Sequence, residues 1–72
     1  MTRIAALGAL EEVQGFALAG ADVIAVADDD AARRAWDTLD DEVAVLILTP
    51  AAERALHARL DERPALLPVV LA

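Results

Sequence analysis

The sequence is 72 residues long, 58% of it is hydrophobic, and thirteen acidic against six basic side chains give a formal net charge of −7. A chain of this length forms one small domain, predicted here over residues 1–72, and buries only about 60% of the surface that it exposes when unfolded, so its apolar content favours a partner. The excess of acidic residues argues against nucleic-acid binding, which needs a basic surface. No apolar run approaches the roughly 18 residues that span a bilayer. The absence of Ser, Cys and Lys excludes serine, thiol and Schiff-base nucleophiles.

The chain opens with a predicted strand and a predicted helix. "RIAALG" (3–8) is a short apolar run that ends in glycine, which is typical of a strand. "ALEEVQGFALAG" (9–20) predicts a helix, because the apolar residues of one helical face recur at the right spacing: Leu10, Val13 and Ala17. Gly20 then fits the position just past the helix, where the backbone turns left-handed.

Gly15 lies inside this predicted helix, where glycine costs about 1 kcal/mol relative to alanine. Two explanations stay open. Either the helix packs closely on its own sheet at this point, or the backbone of a partner approaches it. In the second case Phe16, the only phenylalanine, lies beside the contact as an anchor.

A second strand and helix follow. "DVIAV" (22–26) predicts the strand, and "DDDAARRAWDTL" (28–39) predicts a helix with an acidic first turn, as the helix dipole favours. The three aspartates that begin it, Asp28, Asp29 and Asp30, could bind a ribose or a metal, but a helix N-cap explains them better. Trp36 shares a side of the helix with Ala32 and Leu39, which predicts core or rim packing, with a partner contact as the alternative.

The third strand and helix have the clearest signals. "VAVLIL" (43–48) is apolar at six consecutive positions, which predicts a strand buried on both faces in the middle of a parallel sheet. "TPAAERALHARLDER" (49–63) predicts a helix with Thr49 as N-cap and Pro50 in the first helical position. The core face of this helix is marked by Leu56 and Leu60.

"LLPVVLA" (66–72) predicts a fourth strand, which Pro68 confines either to the edge of the sheet or to a start after the proline. This alternation indicates a small α/β fold of the flavodoxin-like (Rossmann-like) type, a four-stranded parallel sheet of order 2-1-3-4 with three helices. Right-handed crossovers then place the first helix alone on one face. The surface beside it, over strands 3 and 4, has no helix of its own, and we expect a partner to cover it.

No arrangement of residues predicts a catalytic, cofactor-binding or metal site. His57 could share a helical stripe with Glu53 and Asp61, but this set is short of ligands for a metal, and a solvated helix face is the preferred interpretation. The intervals between the glycines do not fit the dinucleotide-binding pattern G-x-G-x-x-G. A phospho-acceptor receiver domain needs an aspartate after strand 3, where Leu48-Thr49 stands, and a lysine, which the chain lacks.

"GFALAG" (15–20) resembles the G-F-x-L-A-G stretch of the F subunit of the V-type and A-type ATPases. "RIAALG", "VAVLILTPAAE" and "PALLPVV" resemble the first, third and last strands of that family, so the resemblance covers the chain in order. It implies a non-catalytic subunit of the central rotor stalk in a proton- or sodium-translocating ATPase or ATP synthase. Such a subunit binds the coiled-coil D subunit of the stalk, affects ATP hydrolysis and coupling in the catalytic A/B head, and is cytoplasmic and peripheral to the membrane, without insertion into it.

With this resemblance, we predict a partner interface that is formed by Gly15, Phe16, Leu18, Gly20, Val69 and Leu71. The sequence departs from the family at two places. Ala17 stands where the family usually carries a basic residue. Family members also continue into a regulatory C-terminal helix, whereas this sequence stops at Ala72, which indicates a naturally short form or a truncated chain.

Two hypotheses from other classes compete with the stalk component. One is a small receiver-like signalling or effector-binding domain, which would need polar residues at the C-terminal strand ends, where Gly8, Ala27 and Thr49 supply almost none. The other is a self-associating domain, a homo-oligomer that buries strand 4 against a second copy.

Overall fold

The computed structural model describes residues 3–72. These residues form one parallel sheet in the order β2-β1-β3-β4. The strands are β1 (Arg3–Gly8), β2 (Asp22–Ala25), β3 (Val43–Leu48) and β4 (Leu67–Val70). The predicted α/β flavodoxin-like fold and its strand order are confirmed. Pro68 lies on an edge strand, where its missing N–H breaks no interior ladder.

Three helices connect the strands, and two of them end in 3-10 segments. The helices are α1 (Leu10–Val13), α2 (Asp29–Asp37) and α3 (Pro50–Leu56). The first 3-10 segment (Gln14–Ala19) follows α1 directly, and the second 3-10 segment (His57–Glu62) follows α3.

The sequence signals for the starts of α2 and α3 are confirmed. Asp28 caps α2, because its Oδ1 accepts a hydrogen bond from the Ala31 N–H at 2.8 Å. Thr49 caps α3 in the same way, accepting from the Ala52 N–H at 3.2 Å, with Pro50 in the first turn. Each cap satisfies a backbone donor that has no partner within its own helix.

The prediction of a continuous α-helix over 9–20 is wrong. Only one α-helical turn forms, and the backbone tightens into the first 3-10 segment at Gln14. In proteins an α-helix is stabilised mainly by packing of an apolar face. Here Val13 is buried, but Leu10 and Ala17, predicted to share its face, are exposed. With Gly15 adding no helix propensity, little favours α-helical geometry beyond Val13.

The main core lies between the sheet and the pair α2 and α3. Its fully buried large side chains include Trp36 from α2, Leu56 from α3 and the strand residues Leu7, Leu46 and Leu48. Trp36 is 1% exposed, which agrees with the core packing predicted for it. We call this side of the sheet the closed side.

The opposite side is covered only over part of the sheet. α1 packs on β1 and β2, and the first 3-10 segment packs on β2. Ala6 and Val13 are fully buried there, outside the main core. No helix of residues 3–72 covers β3 and β4 on this side, which we call the open side. The prediction that β3 is buried on both faces is therefore only half right: Leu46 and Leu48 are buried, whereas Val45 and Ile47 remain partly accessible.

Candidate partner interface

The uncovered part of the open side is an apolar surface on three adjacent strands. The strand register places Ile4 beside Val45 and Val45 beside Leu67, and one step further along it places Ile47 beside Val69. Side chains of paired residues in a parallel sheet point to the same face. We define the open face by these five residues: Ile4, Val45, Ile47, Leu67 and Val69.

The members of the open face at its margins are substantially exposed. Ile4, Leu67 and Val69 are among the exposed large hydrophobic residues, and Val69 is 42% exposed. Faces of parallel sheets are normally covered by helices, so such strands are rarely left open to water. A contiguous apolar surface of this kind marks a site where another molecule packs.

The six predicted interface residues fall into two groups. Val69 and Leu71 lie at β4: Val69 is part of the open face, and the Leu71 N–H donates to the Leu48 carbonyl at 2.8 Å. The other four lie on or next to the first 3-10 segment, which packs on β2. Both groups are on the open side, but β1 separates the strand β2 from β3 and β4, so they form the two flanks of this side and not one continuous patch.

The structure excludes one of the two explanations of Gly15. A Cβ atom at this position would have no heavy atom of another part of the chain within 4 Å. Close packing of the helix on its own sheet is therefore the wrong explanation. Leu18, three residues on, is 96% exposed, and Phe16 between them is half-buried.

Gly20 has a reason within the chain itself. Its φ is +88°, in the left-handed region that glycine adopts at little cost. The Gly20 N–H donates to the Ala17 carbonyl and the Ala21 N–H donates to the Phe16 carbonyl, both at 3.1 Å. These bonds form the Schellman motif that ends helical segments, as predicted for this glycine.

The sequence interpretation missed Ile4 and Leu67, which belong to the open face. The alternation of faces along a strand could have found Leu67, since it is two residues from Val69. Ile4 could be found only with the strand register, because its pairing with Val45 is what shows that it lies next to the uncovered part of the sheet.

The C-terminal ends of the strands form a cleft of about 150 Å³, the place where flavodoxin-like folds bind ligands. Its polar groups are already used by the fold. Asp28 and Thr49 are engaged as helix caps, and Thr49 is 1% exposed. Gly8 is packed so tightly here that a Cβ would lie 2.2 Å from the Thr49 Cγ2. This arrangement does not favour the receiver-like hypothesis.

His57 does not gather the predicted stripe of ligands. Its Nδ1 lies 2.6 Å from the Glu53 Oε1, while the Asp61 carboxylate accepts no hydrogen bond within residues 3–72. The change from α-helix to 3-10 segment at His57 alters the spacing that would have aligned the three residues. Across the part of the chain that the structure describes, no three His, Cys, Asp or Glu side chains are grouped so that they could hold a metal ion.

Comparison with known families decides where this chain belongs. The family model of the ATP synthase (F/14-kDa) subunit matches residues 4–72. The chain belongs to this family. The resemblance to the F subunit of the V-type and A-type ATPases is thereby confirmed, and as an F subunit the chain is a component of a multi-subunit complex.

Among solved structures, the F subunit of the V-type ATP synthase from Archaeoglobus fulgidus is similar to this chain. The two are 24% identical in sequence with a TM-score of 0.60, and the match covers 99% of this chain and 98% of that chain. This likeness shows a shared fold over the whole described chain. A search of the curated proteins finds no match. Within residues 3–72 of this F subunit, no helix has the length and apolarity that crossing a membrane requires.

Proposed function

We propose that this F subunit is a non-catalytic component of the central rotor stalk and binds the coiled-coil D subunit through its open side. In this role it supports coupling between the catalytic A/B head and ion translocation. The observation that carries the proposal is the open face, an apolar surface on β1, β3 and β4 that the protein itself does not cover. Family membership supports it, because an F subunit works within an assembly.

A helix is the element that suits this surface. Parallel sheets are covered by helices on both faces, and here the closed side has α2 and α3 while the open side has only α1 and the first 3-10 segment. A helix of a partner lying over β3 and β4 would complete the second layer. A coiled coil supplies a long, rigid helix of this kind, with little ordering cost on binding.

The first 3-10 segment supplies the second part of the proposed contact. Leu18 is almost fully exposed, and Gly15 leaves space for close approach of a partner backbone. Phe16, half-buried beside them, would contribute to the contact as a hot-spot anchor.

The non-catalytic role is supported by how the polar groups are used. In the cleft at the strand ends, Asp28 and Thr49 cap helices. The sequence has no Ser, Cys or Lys that could act as nucleophile or phosphate ligand.

A pair of neighbouring valines tests the docking surface. Val69 and Val70 are similarly exposed, at 42% and 48%, but they point to opposite faces of β4. We expect Val69→Asp to abolish co-purification with the D subunit, since it places a charge in the apolar contact, whereas Val70→Asp should leave the complex intact. Pull-down of the D subunit by the tagged F subunit gives the result, and thermal melting of both variants shows that each is folded.

Leu18→Gln extends this test to the first 3-10 segment. Because the side chain is almost fully exposed, the variant should melt like the parent and bind the D subunit more weakly. Two results would contradict the proposed surface and place the contact elsewhere. One is that only the Val70→Asp variant loses binding, and the other is that the Val69→Asp variant still retains the D subunit.

A further inference from the structure

Charge is distributed unequally between the two sides of the sheet. All six basic side chains are arginines, and all lie on the closed side or at its ends: Arg3, Arg33, Arg34, Arg54, Arg59 and Arg63. Arg3 belongs there although it is on β1, because its guanidinium contacts Asp22 and Asp40 and lines a pocket beside α2.

On the open side, the charged residues of α1, the first 3-10 segment and the open face are Glu11 and Glu12. Both are exposed. Within residues 3–72 neither carboxylate takes part in a hydrogen bond or an ion pair, in contrast to the closed side, where most arginines are paired with carboxylates. The open side is therefore negative and contains no basic side chain among these residues.

Glu12 lies near the C-terminal ends of β1 and β3. It lines the cleft at the strand ends together with Gly8, which ends β1, and Thr49, which follows β3. Asp28 and Asp29 line the same cleft, and no basic residue does. A molecule that covers the open face and extends past the C-terminal end of β3 therefore meets this acidic margin.

We propose that the open side takes an amphipathic helix with an apolar stripe flanked by Lys or Arg. These cations contact Glu12, and Glu11 beside it adds to the same negative potential. The apolar stripe packs on the open face. This inference rests on the proposed function, since it specifies the chemistry of the stalk helix that the protein binds.

A second copy of the chain fits the surface less well. Two copies docked through their open sides would offer each other only acidic side chains there, on chains that each carry a net charge of −7. Like charges across an interface disfavour the wrong partner, whereas complementary charges accelerate association with the right one.

The inference can be tested with two synthetic helices that share the same leucine stripe. In one helix the stripe is flanked by lysines, and in the other by glutamates. Binding to the F subunit is followed by fluorescence anisotropy. We expect the lysine-flanked helix to bind at least about tenfold more tightly, and its affinity to fall as NaCl is raised. Val69→Asp should abolish this binding.

The double variant Glu11→Gln/Glu12→Gln should weaken the lysine-flanked helix roughly threefold to tenfold and flatten its salt dependence. The matched control is Glu42→Gln/Asp61→Asn, which removes the same charge from exposed residues outside the open side. Equal binding of the two helices, or an equal loss in the control variant, would overturn the inference.

Pull-down of the D subunit separates this inference from the proposed function. If the D subunit does not bind while the two helices behave as expected, the stalk role fails and the charge preference stands. If the D subunit binds through Val69 with full affinity for the Glu11→Gln/Glu12→Gln variant, the stalk role stands and the charge preference is wrong.

Discussion

The three glycines of this chain serve three different purposes. Gly8 makes room for the buried side chain of Thr49, since a Cβ would lie 2.2 Å from the Thr49 Cγ2. Gly20 holds a left-handed backbone at φ +88°. Gly15 is required by neither reason, because the space around it is open and its φ is not positive. Because the isolated fold does not require a glycine at position 15, contact with a partner is the explanation that stays open for it.

Alanine at two of these positions should have opposite effects on stability. Gly8→Ala forces Thr49 out of its capping position and should lower the free energy of unfolding by about 1–3 kcal/mol. Gly15→Ala adds helix propensity in open space and should leave stability unchanged or raise it by up to about 1 kcal/mol. Urea unfolding of both variants measures this difference. A Gly15→Ala variant that unfolds as easily as Gly8→Ala would mean that the fold itself needs this glycine.

A cluster of hydrogen bonds and ion pairs holds the second 3-10 segment against α2. The Trp36 Nε1–H donates to the Glu62 Oε1 at 3.0 Å, and Arg59 bridges Glu62 and Asp37. The Arg63 guanidinium lies 5.1 Å from the centre of the Trp36 ring and donates to the Trp36 carbonyl. The hydrogen bond from Arg59, followed by that from Trp36, lowers the pKa of Glu62 below its ordinary value of 4.5.

The lowered pKa predicts an acid-sensitive contribution to stability. A carboxyl group whose pKa is lowered by folding stabilises the protein at pH values above its ordinary pKa. This stabilisation is lost as the pH falls through the lowered pKa. The melting temperature of Glu62→Gln should therefore lie below that of the parent by a constant amount above about pH 4.5 and approach it below that pH. Thermal melts from neutral to strongly acid pH measure the difference.

Asp61→Asn is the matched control for this measurement, since Asp61 is an exposed neighbour whose carboxylate accepts no hydrogen bond within residues 3–72. Its melting curve should follow the parent at every pH. If the difference in melting temperature between Glu62→Gln and the parent became larger in acid, the charge of Glu62 would not be what stabilises this segment.

The whole molecule has a closed side with a packed core and an open side with an apolar, acidic surface. The hydrophobic residues of the open face favour association, while the net charge of −7 opposes association between two copies. Which effect dominates depends on ionic strength, because salt screens repulsion between exposed charges but does not weaken apolar contact.

We therefore expect self-association of the isolated F subunit to increase with salt, whereas the proposed binding of a basic helix should weaken with salt. The subunit should remain monomeric at about 20 mM NaCl and self-associate at about 500 mM, where the Debye length falls below roughly 5 Å. Sedimentation velocity over a range of protein concentrations detects the change. Val69→Asp should stay monomeric under both conditions; self-association of that variant would mean that copies meet on another surface.

The sequence by itself determined the features that depend on near neighbours along the chain. Apolar runs located the four strands, and Pro68 limited the fourth to the sheet edge or to a start after the proline. The aspartates from Asp28 onwards and Thr49 indicated helix caps, because a cap bonds to a backbone N–H only three residues away. The crossover rule then extended this local information to the strand order. It also predicted that the surface over strands 3 and 4 would lack a helix.

Only the tertiary structure decided what depends on residues far apart in the sequence. The pairing of Arg3 with Asp22 and Asp40, and of Trp36 with Glu62, joins residues 19 to 37 positions apart. The shortness of α1 has the same origin: its periodicity suits a longer helix, but the sheet beneath it buries only Val13 of the predicted face. Periodicity states which side chains could be buried together, whereas the extent of a helix depends on the surface that packs against it.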